Sequence, residues 1–132
     1  MKTNKADTWF SRFIRLRASD ENGVGKCFTC GRIKEVKHMD CGHFVKRQHS
    51  ATRFNEYNCQ LQCKHCNAFE QGKDAIFREN LVSLYGEKIV LLLESSKRSF
   101  SKLGKVELNY LAELYKTKTN ELLKEKNIKK WW

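Results

Sequence analysis

Proline is absent from this chain, and glycine is sparse at seven residues. A sequence so short of both has little material for long flexible linkers. No stretch of 18 or more apolar residues occurs, so no membrane-spanning helix is expected. The opening residues, Met1 to Asp7, are polar and lack the apolar core of a secretory signal. The expected location is therefore the cytoplasm, away from membranes, where thiols stay reduced. Hydrophobic residues are also somewhat scarce, at 40% of the 132 positions. That length fits one domain plus an appendage, and a domain short of core often adds a metal as a staple.

Against these shortages stand two surpluses. Six cysteines in a reducing compartment point to metal ligation rather than disulfides. Lys and Arg number 26 against 15 acidic residues, a formal net charge of +11. A surplus of that size on a chain with zinc-type cysteines points to a nucleic-acid partner.

Residues 6–18 read as an amphipathic helix, with Phe10, Phe13, Ile14 and Arg17 at helical spacing. Its Arg12, Arg15 and Arg17 can face phosphates or simply solvent. After a turn at 20–25, residues 26–30 and 33–37 form a short ribbon, and 36–45 a strand. A basic loop, 46–53, leads to a second extended stretch over 52–61. A helix follows from near Cys63 to Glu70, broken at Gln71-Gly72. Helices are expected at 73–85 and 87–96, and a long amphipathic one over 103–126. The division is a core at 1–96 and a basic helical extension at 97–132. The extension holds ten Lys or Arg and four Glu. Its closing Lys129-Lys130-Trp131-Trp132 can stack on unpaired bases or hang as a loose tail. The long helix is a candidate homodimer face.

Cys27-x-x-Cys30 and Cys63-x-x-Cys66 are two knuckles separated by 32 residues. Together they supply four thiolates, the donor set of a closed, structural zinc site. Cys41 and Cys59 are left over and read as small buried hydrophobes on adjacent strands.

The stretch between the knuckles carries the chemistry. His43, Asn58 and, directly after the second knuckle, Asn67 follow in order. A neutral imidazole can take a proton from water, provided a partner fixes its other nitrogen. A hard cation, Mg²⁺ or Mn²⁺, held by oxygens can offset charge at a phosphate. His43 is the candidate base. Asn67 offers a carbonyl oxygen, and Glu70 lies three residues further on. Lys46, Arg47, Arg53 and Lys64 are candidate phosphate contacts.

These residues carry a resemblance. FSRFIRLR (10–17), CFTCGR (27–32), DCGHF (40–44), ATRFNEYN (51–58), QCKHCN (62–67) and LYGEK (84–88) resemble the NinG/Rap recombination-protein family of phages. The resemblance covers residues 10–94. It implies an α+β fold with a zinc-stapled ββα-metal (HNH, His-Me finger) core, an N-terminal helix and a mostly helical C-terminal half. It further implies a metal-dependent endonuclease acting on branched DNA, such as Holliday junctions or D-loops, in the host cytoplasm. QCKHCNAFEQGK (62–73) is also similar to phage endonuclease VII. That similarity implies Asn67 as a metal ligand, Glu70 as a catalytic-site acid and His43 as the general base; Asn58, five residues before the second knuckle, is the further catalytic candidate by its place in the motif.

One departure stands out. Many members of the wider superfamily place Asp directly before the catalytic His, where this chain has Gly42. Asp40 lies two residues before Gly42, about 6.6 Å away along a regular strand. Asp40 and His49 remain alternative ligands of the catalytic metal beside Asn67. The competing functional reading is a non-catalytic, zinc-stapled DNA-binding or annealing module. A zinc-stabilised protein-interaction adaptor is a third, less suited to the charge.

Overall fold

The computed structural model describes residues 3–100 and 102–132. It shows a mixed α+β protein with two small antiparallel ribbons set among helices. Helix α1 (Lys5–Arg17) begins at a capping box. The Asn4 side chain accepts from the Asp7 N–H, and the Asp7 carboxylate accepts from the Asn4 N–H, each at 3.0 Å. Its apolar stripe of Ala6, Phe10, Phe13 and Ile14 is buried.

Strand β1 (Val24–Lys26) pairs with β2 (Ile33–Glu35) around the first cysteine knuckle. Gly31 closes that knuckle at φ +76°, where any side chain would be strained. Strands β3 (Asp40–His43) and β4 (Cys59–Gln62) form the second ribbon. Asp40 pairs with Gln62, Cys41 with Leu61, Gly42 with Gln60 and His43 with Cys59. Cys41, His43, Cys59 and Leu61 therefore share one face.

Both strands are shorter than the sequence pattern suggests. Residues 36–38 form a 3₁₀ turn, and 51–58 run through consecutive turns. Asparagine chemistry is the reason. The Asn55 side chain accepts from the Tyr57 N–H at 2.8 Å, and the Asn58 N–H donates to the Asn55 carbonyl at 3.0 Å. The helix expected over 63–70 is a single π-type turn, His65–Phe69, closed by the Glu70 N–H on the His65 carbonyl at 3.0 Å. Helices α2 (Asp74–Tyr85) and α3 (Glu87–Ser95) meet at Gly86, which has φ +94°. They bury Phe77, Leu81, Val90 and Leu93 with Val45.

Helix α4 (Lys105–Lys126) lies along α1. Its Ala112, Tyr115 and Thr119 are buried. The Tyr115 ring stands edge-on to Phe10 at 4.8 Å and tilted to Phe13 at 5.3 Å. The face offered by the sequence for dimerisation is thus in large part covered by α1. At the far end, the Lys126 ammonium donates to the carbonyls of Leu16 (2.8 Å), Arg17 (3.0 Å) and Ser19 (2.7 Å). A cation there satisfies carbonyls that a helix end leaves open and complements its dipole. Lys126→Met should lower stability by about 2 kcal/mol, the scale of charged hydrogen bonds, read as a lower urea midpoint. An unchanged midpoint would show that α1 ends equally well without the clasp.

Asn127 takes a left-handed conformation, φ +53°, and turns the last residues back over α1. The closing tryptophans are not a loose tail. Trp132 meets Trp9 edge-on at 5.7 Å, and the Arg12 guanidinium lies between their rings, 4.7 Å from Trp9 and 4.3 Å from Trp132. Trp131 stands by Arg15 and packs against the cysteine-rich core. Among the described residues, no helix is long and apolar enough to cross a membrane.

Candidate functional site

The two knuckles meet. The Sγ atoms of Cys27, Cys30, Cys63 and Cys66 all lie within 4.8 Å of one another, with Cys30 and Cys63 at 3.7 Å. Cys27, Cys63 and Cys66 are buried beside Val36, Met39 and Leu61, whereas Cys30 is exposed. Backbone amides serve the sulfurs: the Cys63 N–H donates to Cys27 Sγ at 3.3 Å, and the Cys66 N–H to Cys63 Sγ at 3.5 Å. Burial raises the Cys27 thiol. Hydrogen bonds from the Thr29 hydroxyl and from the amides of Cys30, Cys63 and Thr29 outweigh it and hold the pKa at about 6. Burial first, then the neighbouring thiols Cys63, Cys30 and Cys27, push Cys66 up to about 12. Four sulfurs this close can hold one metal ion between them, and the all-sulfur, four-fold donor set fits structural zinc.

Beside this cluster runs a cleft of about 810 Å³. His43, Asp40, Asn67, Lys46, Arg47 and Lys64 all border it. The His43 Nε2 sits 3.0 Å from the Arg53 carbonyl. A carbonyl can only accept, so in the neutral ring Nε2 carries the proton and the lone pair is on Nδ1. Burial lowers the His43 pKa, against the raising effect of the Arg53 carbonyl, and so favours that neutral ring at pH 7. Asp40 accepts from the Asn67 amide at 3.0 Å and from Lys64 at 2.7 Å. The carboxylate and the side-chain amide thus come together on the cleft lining.

Gly42 leaves no room for a side chain while Gln62 keeps its place. A Cβ on it would collide with the buried Gln62 carboxamide. The Gln62 Nε2 donates to Thr29 Oγ1 and to the Gly72 carbonyl, while its Oε1 is buried without a hydrogen-bond partner.

The remaining candidates stand elsewhere. Asn58 is fully buried and works as a clamp. Its Oδ1 accepts from the Val45 N–H at 2.8 Å, and its Nδ2 donates to the carbonyls of Val45 (2.9 Å) and Thr52 (3.2 Å). It fixes the loop that follows His43 and does not face the cleft. Glu70 is exposed and lies 3.2 Å from His65, outside the cleft lining. His49 sits in the turn at 46–52 and also does not border the cleft. Arg53, read from the sequence as a phosphate contact, is buried and donates its Nε to Asp7 at 3.0 Å. A guanidinium so committed is structural: it holds the loop whose carbonyl holds His43.

Nothing local in the sequence marks Asp7 as the partner of Arg53, 46 residues away. Arg12 and Arg15, which can face phosphate or solvent by sequence, both border the cleft, as does Trp131. Arg17 does not; it donates to the carbonyls of Glu56 (3.3 Å) and Cys59 (3.0 Å).

These features define an α+β protein with a four-cysteine cluster suited to a structural metal and a basic cleft beside it. A family model described as bacteriophage lambda NinG protein matches residues 3–125, and the chain belongs to that family. Protein ninG of Escherichia phage lambda is 33% identical over 85 residues, which is 64% of this chain and 39% of that protein. The chain therefore spans about two fifths of the length of this curated relative. No solved structure matches the chain.

Proposed function

We propose that the chain is a metal-dependent DNA endonuclease of the ββα-metal type, acting on branched recombination intermediates such as Holliday junctions or D-loops. The observation that carries this is the shared cleft. A neutral imidazole with one nitrogen tied back, a carboxylate hydrogen-bonded by a side-chain amide, and a basic wall all border the same space. The order of parts supports it too: a β3–β4 hairpin, then a helical turn bearing Asn67, pinned by two thiolate knuckles.

In this reading His43 Nδ1 accepts the proton of an attacking water, while the Arg53 carbonyl holds the ring in the correct tautomer. The water oxygen bonds to phosphorus, and the 3′ oxygen leaves, giving a 5′-phosphate and a 3′-hydroxyl. Asp40 and Asn67 are the residues suited to hold Mg²⁺ or Mn²⁺, which would offset charge at the phosphate when bound. Lys64, now paired with Asp40, is free to turn to the DNA once a cation takes its place. Lys46, Arg47, Arg12 and Arg15 line the walls along which a phosphate backbone would run. Lys46 also braces the loop, with Asp74 at 2.8 Å. Glu70 and His49, which do not border the cleft, take no step. A homodimer would supply the two nicks a junction needs, through surfaces other than the covered face of α4.

The test compares nicking of a four-way junction, a flap and a linear duplex in Mg²⁺, Mn²⁺ or EDTA. Cleavage is expected with metal only, and first on branched DNA. Asp40→Asn should cut the rate at least about a hundredfold, the loss that follows when several kcal/mol of metal stabilisation go. Tight DNA binding with no cleavage under any ion would instead support the non-catalytic binding module.

A further inference from the structure

Two thiols outside the four-cysteine cluster stand beside the imidazole. Strand register places them there. His43 pairs across the ribbon with Cys59, and Cys41 lies two residues before His43, so all three side chains leave one face. Cys41 Sγ, Cys59 Sγ and a ring nitrogen of His43 lie within 4.8 Å of one another. Around a tetrahedral zinc, with Zn–S about 2.3 Å and Zn–N about 2.1 Å, such ligands stand about 3.6 Å apart. Small side-chain rotations close that difference.

The surroundings suit a soft cation. The Nε2 of His43 is tied to the Arg53 carbonyl at 3.0 Å, the usual outer partner of a metal-bound imidazole, and the lone pair on Nδ1 is left to bind. Cys41 borders the cleft and gives an ion a way in, whereas Cys59 is fully buried beneath it. Burial, with Cys41 next to it, raises the Cys59 thiol well above its ordinary range. The Cys59 sulfur therefore holds its proton until a metal displaces it.

We propose that Cys41, His43 and Cys59 form a second metal site, selective for a thiophilic divalent cation such as Zn²⁺, that switches off the imidazole. Two thiol protons leave, one cation enters, and it occupies the nitrogen lone pair that would otherwise accept a proton from water. No oxidation is involved. Mg²⁺ prefers oxygen ligands and does not compete for this site. The same chain is thus active in Mg²⁺ and silenced by excess Zn²⁺. The silencing rests on His43 serving as the base in the proposed reaction; the binding rests on the three side chains alone.

The test uses the full chain with zinc already in its four-cysteine cluster, titrated with Co²⁺. Wild type should take up one further equivalent with thiolate-to-cobalt charge-transfer absorption, its zinc content unchanged. Cys41→Ser, at a half-buried position, and Cys59→Ala should each lose that absorption. In a nicking assay with Mg²⁺, excess Zn²⁺ should inhibit wild type and spare Cys41→Ser. No charge-transfer band in wild type, or the same band in both variants, overturns the site. Equal zinc sensitivity of wild type and Cys41→Ser overturns the switch. A protein that never nicks defeats the nuclease reading, and the cobalt titration then still decides the site.

Discussion

His43→Ala is expected to lower the nicking rate by about 10²- to 10⁴-fold, the range that general-base catalysis supplies, while the metal content of the four-cysteine cluster and DNA affinity stay at wild-type values. The imidazole is half-buried and its ring centroid stands 6.4 Å from that of Phe10, so the fold should tolerate its loss. Its pKa lies below the ordinary imidazole range because burial disfavours the charged ring. The acid limb of the wild-type rate should therefore fall at a pH below about 6.5, the unperturbed value, with activity sustained above it. The same depression has a consequence for stability. The unfolded chain binds the proton more readily, so the contribution of a neutral His43 is present above the unfolded pKa and lost as pH falls through the folded one. His43→Ala should flatten both limbs. Cleavage that persists in this variant with an unaltered pH profile would sink the proposed chemistry.

Removing the ion from the four-cysteine cluster should unfold the chain. Structural zinc contributes on the order of 10 kcal/mol or more to small domains, comparable with the whole net stability of about 5–15 kcal/mol. The cluster is not peripheral. Three of its thiols are buried with Val36, Met39, Leu61 and Trp131, and its second knuckle follows directly on β4. Without a dication, the thiols compete: Cys27 holds its negative charge and Cys66 is driven to about 12. A strong chelator, or Cys66→Ser alone, should abolish the near-ultraviolet circular dichroism of the tryptophans and the cooperative thermal transition. A metal-free protein that keeps both would show that the apolar core suffices, and the structural part of this account would fail.

Much of this was legible in the sequence because the relevant signals are local. Each knuckle is a four-residue motif, and α1 announces itself by its apolar spacing. The lengths of β3 and β4 were overestimated because the turn chemistry of Asn55 and Asn58 outweighs the extended pattern around them. Arg53 was misplaced for a different reason. A basic residue in a basic loop looks like a phosphate ligand until its partner is known, and Asp7 comes from another element. The trio of Cys41, His43 and Cys59 was equally hidden, since only register brings Cys59 opposite His43. Trp131 and Trp132 looked like a free end, yet Arg12 and Trp9 hold them.

The clasp of Lys126 on the end of α1 bears on how the protein is made. The Thr119 hydroxyl reaches the Trp9 carbonyl across 110 residues of sequence, and Lys126 reaches Leu16 across the same span. During synthesis at about 5–20 residues per second, the apolar stripe of α1 would wait roughly 5 to 20 s for its partner. In that interval Phe10, Phe13 and Trp9 are exposed on a nascent chain, a surface that chaperones recognise and that aggregation exploits. Yield in a cell should accordingly respond to translation speed and chaperone supply more than the stability of the finished molecule suggests.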